Sequence, residues 1–257
     1  MKNIVFMMDI DIGGDGRYAS NRRFGYKYSI DSWKKWCEKN DCELFVLNDL
    51  LADNNEMAIC WQRFHLFDIL EANEIEYDQV LMVDADTIVH PDTPNFFEMS
   101  ERKFCGVHFD GSYDWVLRGI ENYSKHVFDG YMMPWDKYFD CGFMLVNKIH
   151  KSFFKKILDF YHKNVVTLKE LQKTFHNGTD QTPVNFLVHK EDIDLKLFPY
   201  EFNMNDMARK NILTDDLLFT KCGWIYQYNA IPYNKDNQLT NYFMEKTYKH
   251  LYGELND

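Results

Sequence analysis

The chain is short of the features that mark whole classes of protein. Its 257 residues include 12 glycines and 6 prolines, too few for a collagen-like or low-complexity chain. No apolar run approaches the roughly 20 residues that span a bilayer. The opening stretch, Met1 to Met8, carries one lysine and too short an apolar run for a signal peptide. The 6 cysteines, at positions 37, 42, 60, 105, 141 and 222, form no CxxC pair and no paired zinc spacing. They read as reduced, mostly buried thiols of a cytoplasmic protein. Positive charge is scarce too. With 29 Lys and Arg against 40 Asp and Glu, the net charge is −11, which argues against a broad grip on nucleic acid. An acidic chain that binds a phosphate compound needs a local device, such as a metal ion held by carboxylates.

What is present is apolar and aromatic. Hydrophobic residues make up 46% and aromatic ones 17% of the chain, which excludes a disordered class. The length suits one large domain or two small ones. Ile4–Met8, Leu44–Leu47 and Gln79–Val83 read as buried strands, and helices are expected over 20–39 and 57–73. This alternation argues for an α/β domain with a mainly parallel sheet. Phe104–Phe109, Cys141–Asn147 and Leu195–Phe198 read as further strands, and His150–Phe175 and Gln181–Val188 as helices. The aromatic stretch Tyr113–Tyr138, with Pro134 inside it, is expected to form a long loop serving as a lid or binding surface. No repeat, linker or composition shift divides the chain, so one domain is expected.

Three Asp-x-Asp triplets occur: Asp9/Asp11, Asp84/Asp86 and Asp192/Asp194. The composition alone gives about 2.6 such triplets by chance, so context must decide. Asp84-Ala85-Asp86 follows the apolar run Val80–Val83 directly and precedes Thr87-Ile88-Val89. That places two carboxylates at the carboxyl end of a buried strand, the edge where open α/β sheets bind ligands. Two like charges there repel, and Mg²⁺ or Mn²⁺ would relieve the repulsion while leaving positions open for phosphate. Asp9/Asp11 also follows a strand, in a glycine-rich loop with Arg17, Arg22 and Arg23 close behind. No Gly-Lys-Ser/Thr closes this loop and no GxGxxG is present, yet it can wall a nucleotide pocket. Asp192/Asp194, in a charged stretch, reads as a solvated turn.

Four segments in order then resemble the GT-A glycosyltransferases, in particular the retaining glycogenin and galactosyltransferase-like family. They are Tyr77–Asp86 after a helix bearing Trp61-Gln62-Arg63, Tyr138–Asn147, Thr179–Asn185 and Leu195–Asn203. The resemblance covers about residues 1–235, and it implies a nucleotide-binding half over about 1–110 and an acceptor-side half with the C-terminal tail over about 111–257. It implies that Asp84 and Asp86, flanking Ala85, hold Mn²⁺ or Mg²⁺ against the diphosphate of a nucleotide sugar, a UDP-sugar. It implies that the loop from Asp9 and Asp11 to Arg17 contacts base and ribose, and that Arg63 braces the acidic strand or the donor. Asp110, Asp140 and Gln181 would line the sugar site. If configuration is retained, Asp140 and Gln181 stabilise the transition state. If it is inverted, Asp110, Asp114, Asp140 and Asp180 are the candidate bases. Trp115, Tyr131, Trp135 and Tyr138 would stack on a glycan or glycolipid acceptor.

One stretch departs from the family. Its third metal ligand is a histidine, and Gln227 stands in that place, with Lys235 positioned to reach a phosphate. An amide oxygen from Gln227 or Asn229 suits Mg²⁺ or Mn²⁺. Two rival readings remain. The segment Val80–Thr87 also resembles the first motif of haloacid-dehalogenase phosphatases, with Asp84 as nucleophile, Asp86 as acid/base and Asp215-Asp216 as the later acidic pair. The other rival is a glycan-binding module without catalysis, its acidic pair holding a structural ion.

Overall fold

The computed structural model describes residues 1–13, 20–109, 113–176 and 179–255. The first apolar run becomes β1 (Lys2–Met8), and after a 3₁₀ turn over Ser20–Phe24 comes α1 (Tyr26–Lys39). β2 (Cys42–Leu47) follows, then α2 (Ile59–Gln62), α3 (Leu66–Ala72) and β3 (Tyr77–Val83). The expected helix over 57–73 is therefore broken by a 3₁₀ turn at Arg63–His65. β4 (Thr87–Val89), α4 (Phe96–Met99) and β5 (Phe104–His108) complete this part of the chain.

The first half of the stretch expected to be a lid loop is instead α5 (Tyr113–His126), while 127–138 is irregular apart from a 3₁₀ turn at Trp135–Lys137. Its buried Val116, Gly119, Ile120 and Tyr123 recur every three to four residues, the spacing of one helix face. The aromatic richness on either side hides that period in the sequence. β6 (Phe139–Asn147), α6 (Lys151–Phe175), α7 (Gln181–Lys190) and β7 (Leu195–Phe198) follow near the expected places. The tail holds two further elements, β8 (Ile225–Gln227) and α8 (Gln238–Tyr252).

Six strands form one sheet in the order β2-β1-β3-β6-β5-β7. β1 runs parallel to β2 and β3, and β5 parallel to β7, while β6 is antiparallel to both its neighbours. Alternate side chains point to opposite faces. Ile4, Phe6, Val80 and Met82 pack into a cluster with α3, α6 and α7, whereas Val5, Met7, Leu81 and Val83 pack with Trp33 and Trp36 of α1. Such two-faced burial explains the near-continuous apolar runs of β3 and β6. All 6 cysteines are free, and only Cys222 is exposed.

Two pairings shape the site. β6 runs beyond the end of β3, so that the Asp84 N–H donates to the Gly142 carbonyl at 3.1 Å. β4 pairs with β8 in a separate two-stranded sheet that sets Thr87 opposite Gln227. Residues far apart in sequence thereby meet at the carboxyl ends of β1 and β3.

Candidate active site

Asp84 and Asp86 sit just past β3, with buried Ala85 between them. Each carboxylate has one oxygen on an arginine. Asp84 Oδ1 lies 3.0 Å from Arg63 Nη1, and Asp86 Oδ2 bonds Arg22 Nη2. Side-chain exposure is 7% for Asp86 and 8% for Arg22. The other two oxygens converge on Gln227, whose Nε2 donates to Asp84 Oδ2 at 2.8 Å and Asp86 Oδ1 at 3.4 Å. Gln227 Oε1 accepts from Asn203 Nδ2 at 3.1 Å.

Arg63 is pinned on all sides. It donates to the Cys60 and Cys141 carbonyls at 3.0 and 2.8 Å and lies 3.7 Å from Asp180 Oδ2. Burial opposes its charge, but Asp84 and Asp180 more than offset this and raise its pKa. The bend between α2 and α3 puts Arg63 there, on Asp84 just past β3 and at the border of the cavity.

Asp140, on the overhanging start of β6, accepts from Gly142 N–H at 2.9 Å, Asn205 at 2.8 Å and Asn203 at 3.0 Å. Burial pushes its carboxyl up to about 7, the Gly142 N–H pulls the other way, and the Asp84 charge adds to the rise. Gln181, at the start of α7, accepts from Cys141 N–H at 3.3 Å. Among the described residues, Gln181 Nε2 and Asp180 Oδ2 are buried without a hydrogen-bond partner. Both residues border a cavity of about 450 Å³.

That cavity gathers Arg63, Asp84, Asp86, Asp140, Gln181 and Gln227. Asp9 and Asp11 do not border it directly. They hold Arg23, which does, at 2.5 and 3.5 Å. Hydrogen bonding to Asp9 raises the Arg23 pKa. Arg17 and Asp110 lie outside the described residues. Lys235 is exposed on the turn before α8 and does not border the cavity, so the phosphate contact expected of it has no support in the geometry. Asp114 is exposed on α5 and likewise stands off the cavity.

Tyr138 cannot stack on a sugar, because it is fully buried with its hydroxyl 2.7 Å from Thr182. Trp115 borders the cavity against Phe109, and Trp135 is 49% exposed beside Tyr113. Sequence reasoning missed Asn205, Asp206 and Arg209. The polar pattern Asn203-Met204-Asn205-Asp206 soon after β7 was the available signal.

A divalent cation can be tested against this donor set. Among the described residues, no group of three His, Cys, Asp or Glu stands ready to hold a metal. The donors are two carboxylate oxygens and one amide, a hard oxygen set of the kind Mg²⁺ and Mn²⁺ accept. Asp84 and Gln227 pack directly on the Gly142 backbone, where a Cβ would sit 2.9 Å from both Asp84 Oδ2 and Gln227 Nε2. The two carboxylates fit the ion. Gln227 fits as a third ligand only after a half-turn of its amide. A matching turn of Asn203 would bring its unpartnered Oδ1 to the displaced Nε2 and would release Asp140 from one bond.

The phosphatase reading fares worse. Asp215 is held by Tyr242 and Lys246, and neither it nor Asp216 borders the cavity.

No protein-family model and no curated protein matches the chain. Solved structures do match in fold. A glycosyltransferase involved in glycosylation of the major capsid of PBCV-1 aligns with a TM-score of 0.60 at 10% identity, over 95% of this chain and 99% of that one. The galactosyltransferase LgtC, solved with donor and acceptor sugar analogues, gives 0.52 at 13% identity over 99% and 98%. GlyE of Streptococcus pneumoniae gives 0.51 at 13% identity, over 96% of this chain and 60% of that one. At such identities the likeness is one of fold. The chain has the GT-A glycosyltransferase fold, a six-stranded, mainly parallel sheet flanked by helices in a single domain.

Proposed function

We propose that this protein is a metal-dependent glycosyltransferase. It moves a sugar from a nucleoside-diphosphate sugar, a UDP-sugar, to a hydroxyl of a glycan or glycolipid, with retention. The observation that carries this reading is the convergence of Asp84 Oδ2 and Asp86 Oδ1 on one point at the sheet's carboxyl edge, inside the cavity. No helix of the described residues is long and apolar enough to cross a membrane. The unpaired cysteines favour a reducing compartment such as the cytoplasm.

In the reaction, the bond from the sugar's anomeric carbon to the diphosphate oxygen breaks and its electron pair stays on that oxygen. The acceptor hydroxyl oxygen bonds the same carbon, and its proton passes to the departing diphosphate. Asp84 and Asp86 would hold Mn²⁺ or Mg²⁺, with Gln227 as third ligand. The bound ion would neutralise charge on the leaving group. Arg63 keeps Asp84 and Asp180 in place from behind. Asp180 Oδ2 and Gln181 Nε2 offer an acceptor and a donor to sugar hydroxyls. Asp140, which borders the cavity, would shield positive charge at the anomeric carbon. Asp9 and Asp11, through Arg23, shape the wall for base and ribose. Arg17 and Asp110 belong to the same reading by sequence.

The test is thermal unfolding with nucleoside diphosphates and their sugars, each with and without Mn²⁺. A ligand at 100 times its Kd adds about 2.7 kcal/mol, or about 5 °C for a chain of this size. A rise seen only with metal, and lost in Asp84→Asn and Asp86→Asn, is expected. A rise that ignores metal, or equal rises in the variants, would overturn the assignment.

A further inference from the structure

Two arginines neutralise the acidic pair, one on each carboxylate. Arg63 is locked among two carboxylates and two carbonyls. Arg22 reaches Asp86 from the five-residue turn Ser20–Phe24 and borders the cavity itself. Its guanidinium takes one oxygen of Asp86 while the other faces Asp84 and Gln227. A divalent ion shared by Asp84 and Asp86 would draw on the same carboxylate charge. Arg22 would then be a buried cation with a weakened counter-charge, an unfavourable state unless another anion replaces it. Within the cavity, the anion that the proposed reaction brings is a diphosphate.

We propose that Arg22 holds Asp86 as a stand-in for the metal, and passes to a phosphate oxygen of the donor when metal and donor bind together. The inference rests on the metal and diphosphate reading of the site. It makes Arg22 a residue that couples the two ligands. Metal alone binds against Arg22, nucleotide alone finds Arg22 engaged, and each ligand relieves the obstacle to the other. By linkage the two affinities rise by the same factor.

Calorimetric titration of Mn²⁺, with and without UDP, tests this in wild type, Arg22→Gln and Arg22→Lys. Arg22→Gln is expected to bind Mn²⁺ alone about tenfold more tightly than wild type, and UDP in the presence of saturating Mn²⁺ about tenfold more weakly, within the usual range of coupling. Arg22→Lys keeps a cation for Asp86 but loses the fork. It is expected to show smaller changes of the same sign, and it serves if the glutamine variant fails to fold. Arg209→Gln removes an equal charge from the cavity wall, where Arg209 is half exposed beside Asp206. Solvent screening should limit its effect on Mn²⁺ to about twofold. Mn²⁺ bound by wild type but no more tightly by either Arg22 variant would overturn the inference and leave the proposed function standing. An Arg209→Gln effect as large as that of Arg22→Gln would also overturn it. Mn²⁺ binding absent from every protein would overturn both.

Discussion

A single methyl group at position 142 can separate the site from the fold. Gly142 lies in β6 opposite Asp84, with a φ outside the left-handed region, so alanine fits its backbone. The added Cβ would stand 2.9 Å from Asp84 Oδ2, 2.9 Å from Gln227 Nε2 and 3.1 Å from Gln227 Oε1. Ordinary carbon contacts begin near 3.4–4 Å, so the carboxylate and amide must retreat by about 0.5–1 Å. Metal coordination tolerates about 0.2 Å. Mn²⁺ affinity should therefore fall about tenfold or more, in line with changes made beside metal ligands. Stability should hardly move. The clash is with side-chain ends, and alanine restricts the unfolded chain by about 0.4–1 kcal/mol relative to glycine. Gly142→Ala should unfold within about 3 °C of wild type and lose the metal-dependent nucleotide shift. An unchanged shift would refute the placement of metal between Asp84 and Gln227. A loss of more than about 3 kcal/mol would refute the claim that only side-chain ends are displaced.

Two further outcomes bear on the support beneath the site. Arg63→Met leaves Asp84 and Asp180 without their shared cation, and breaking such a buried arrangement should cost about 3–5 kcal/mol in urea unfolding. A change below about 1 kcal/mol would show that the carboxylates find other partners. His150, buried before α6 and accepting from Asn147 N–H at 3.1 Å, is pushed down to about 4 by burial. It is neutral in the fold, so its contribution is present above about pH 6.5 and lost as the pH falls towards 4. Between pH 7.5 and 5 wild type should lose about 2 kcal/mol that His150→Gln does not lose, and parallel pH profiles would remove His150 as the cause.

How much of this was legible beforehand depends on the range of the interaction. β3 and β6 can be read from their own residues, because burial on both faces writes a near-continuous apolar run. The local period of α5 is masked by its aromatic neighbours, and β8 gives no signal because three residues carry no period. Gln227 could be placed near the metal only through resemblance. Its contact with Asp84, 143 residues away, is made by the pairing of β4 with β8, and no local pattern records such a pairing. The three acidic triplets make the same point. Asp192 takes a left-handed turn after α7 and Asp194 is 74% exposed beside Lys103, so water screens that pair and little is asked of it. Asp84 and Asp86 have the same spelling but a different electrostatic problem. They lie close together in a largely dry place, and the chain brings a buried arginine, a half-buried one and an amide to them from 64, 21 and 143 residues away. The spelling is common by chance. The effort of neutralising it is not, and that effort is what favours this pair for the proposed site.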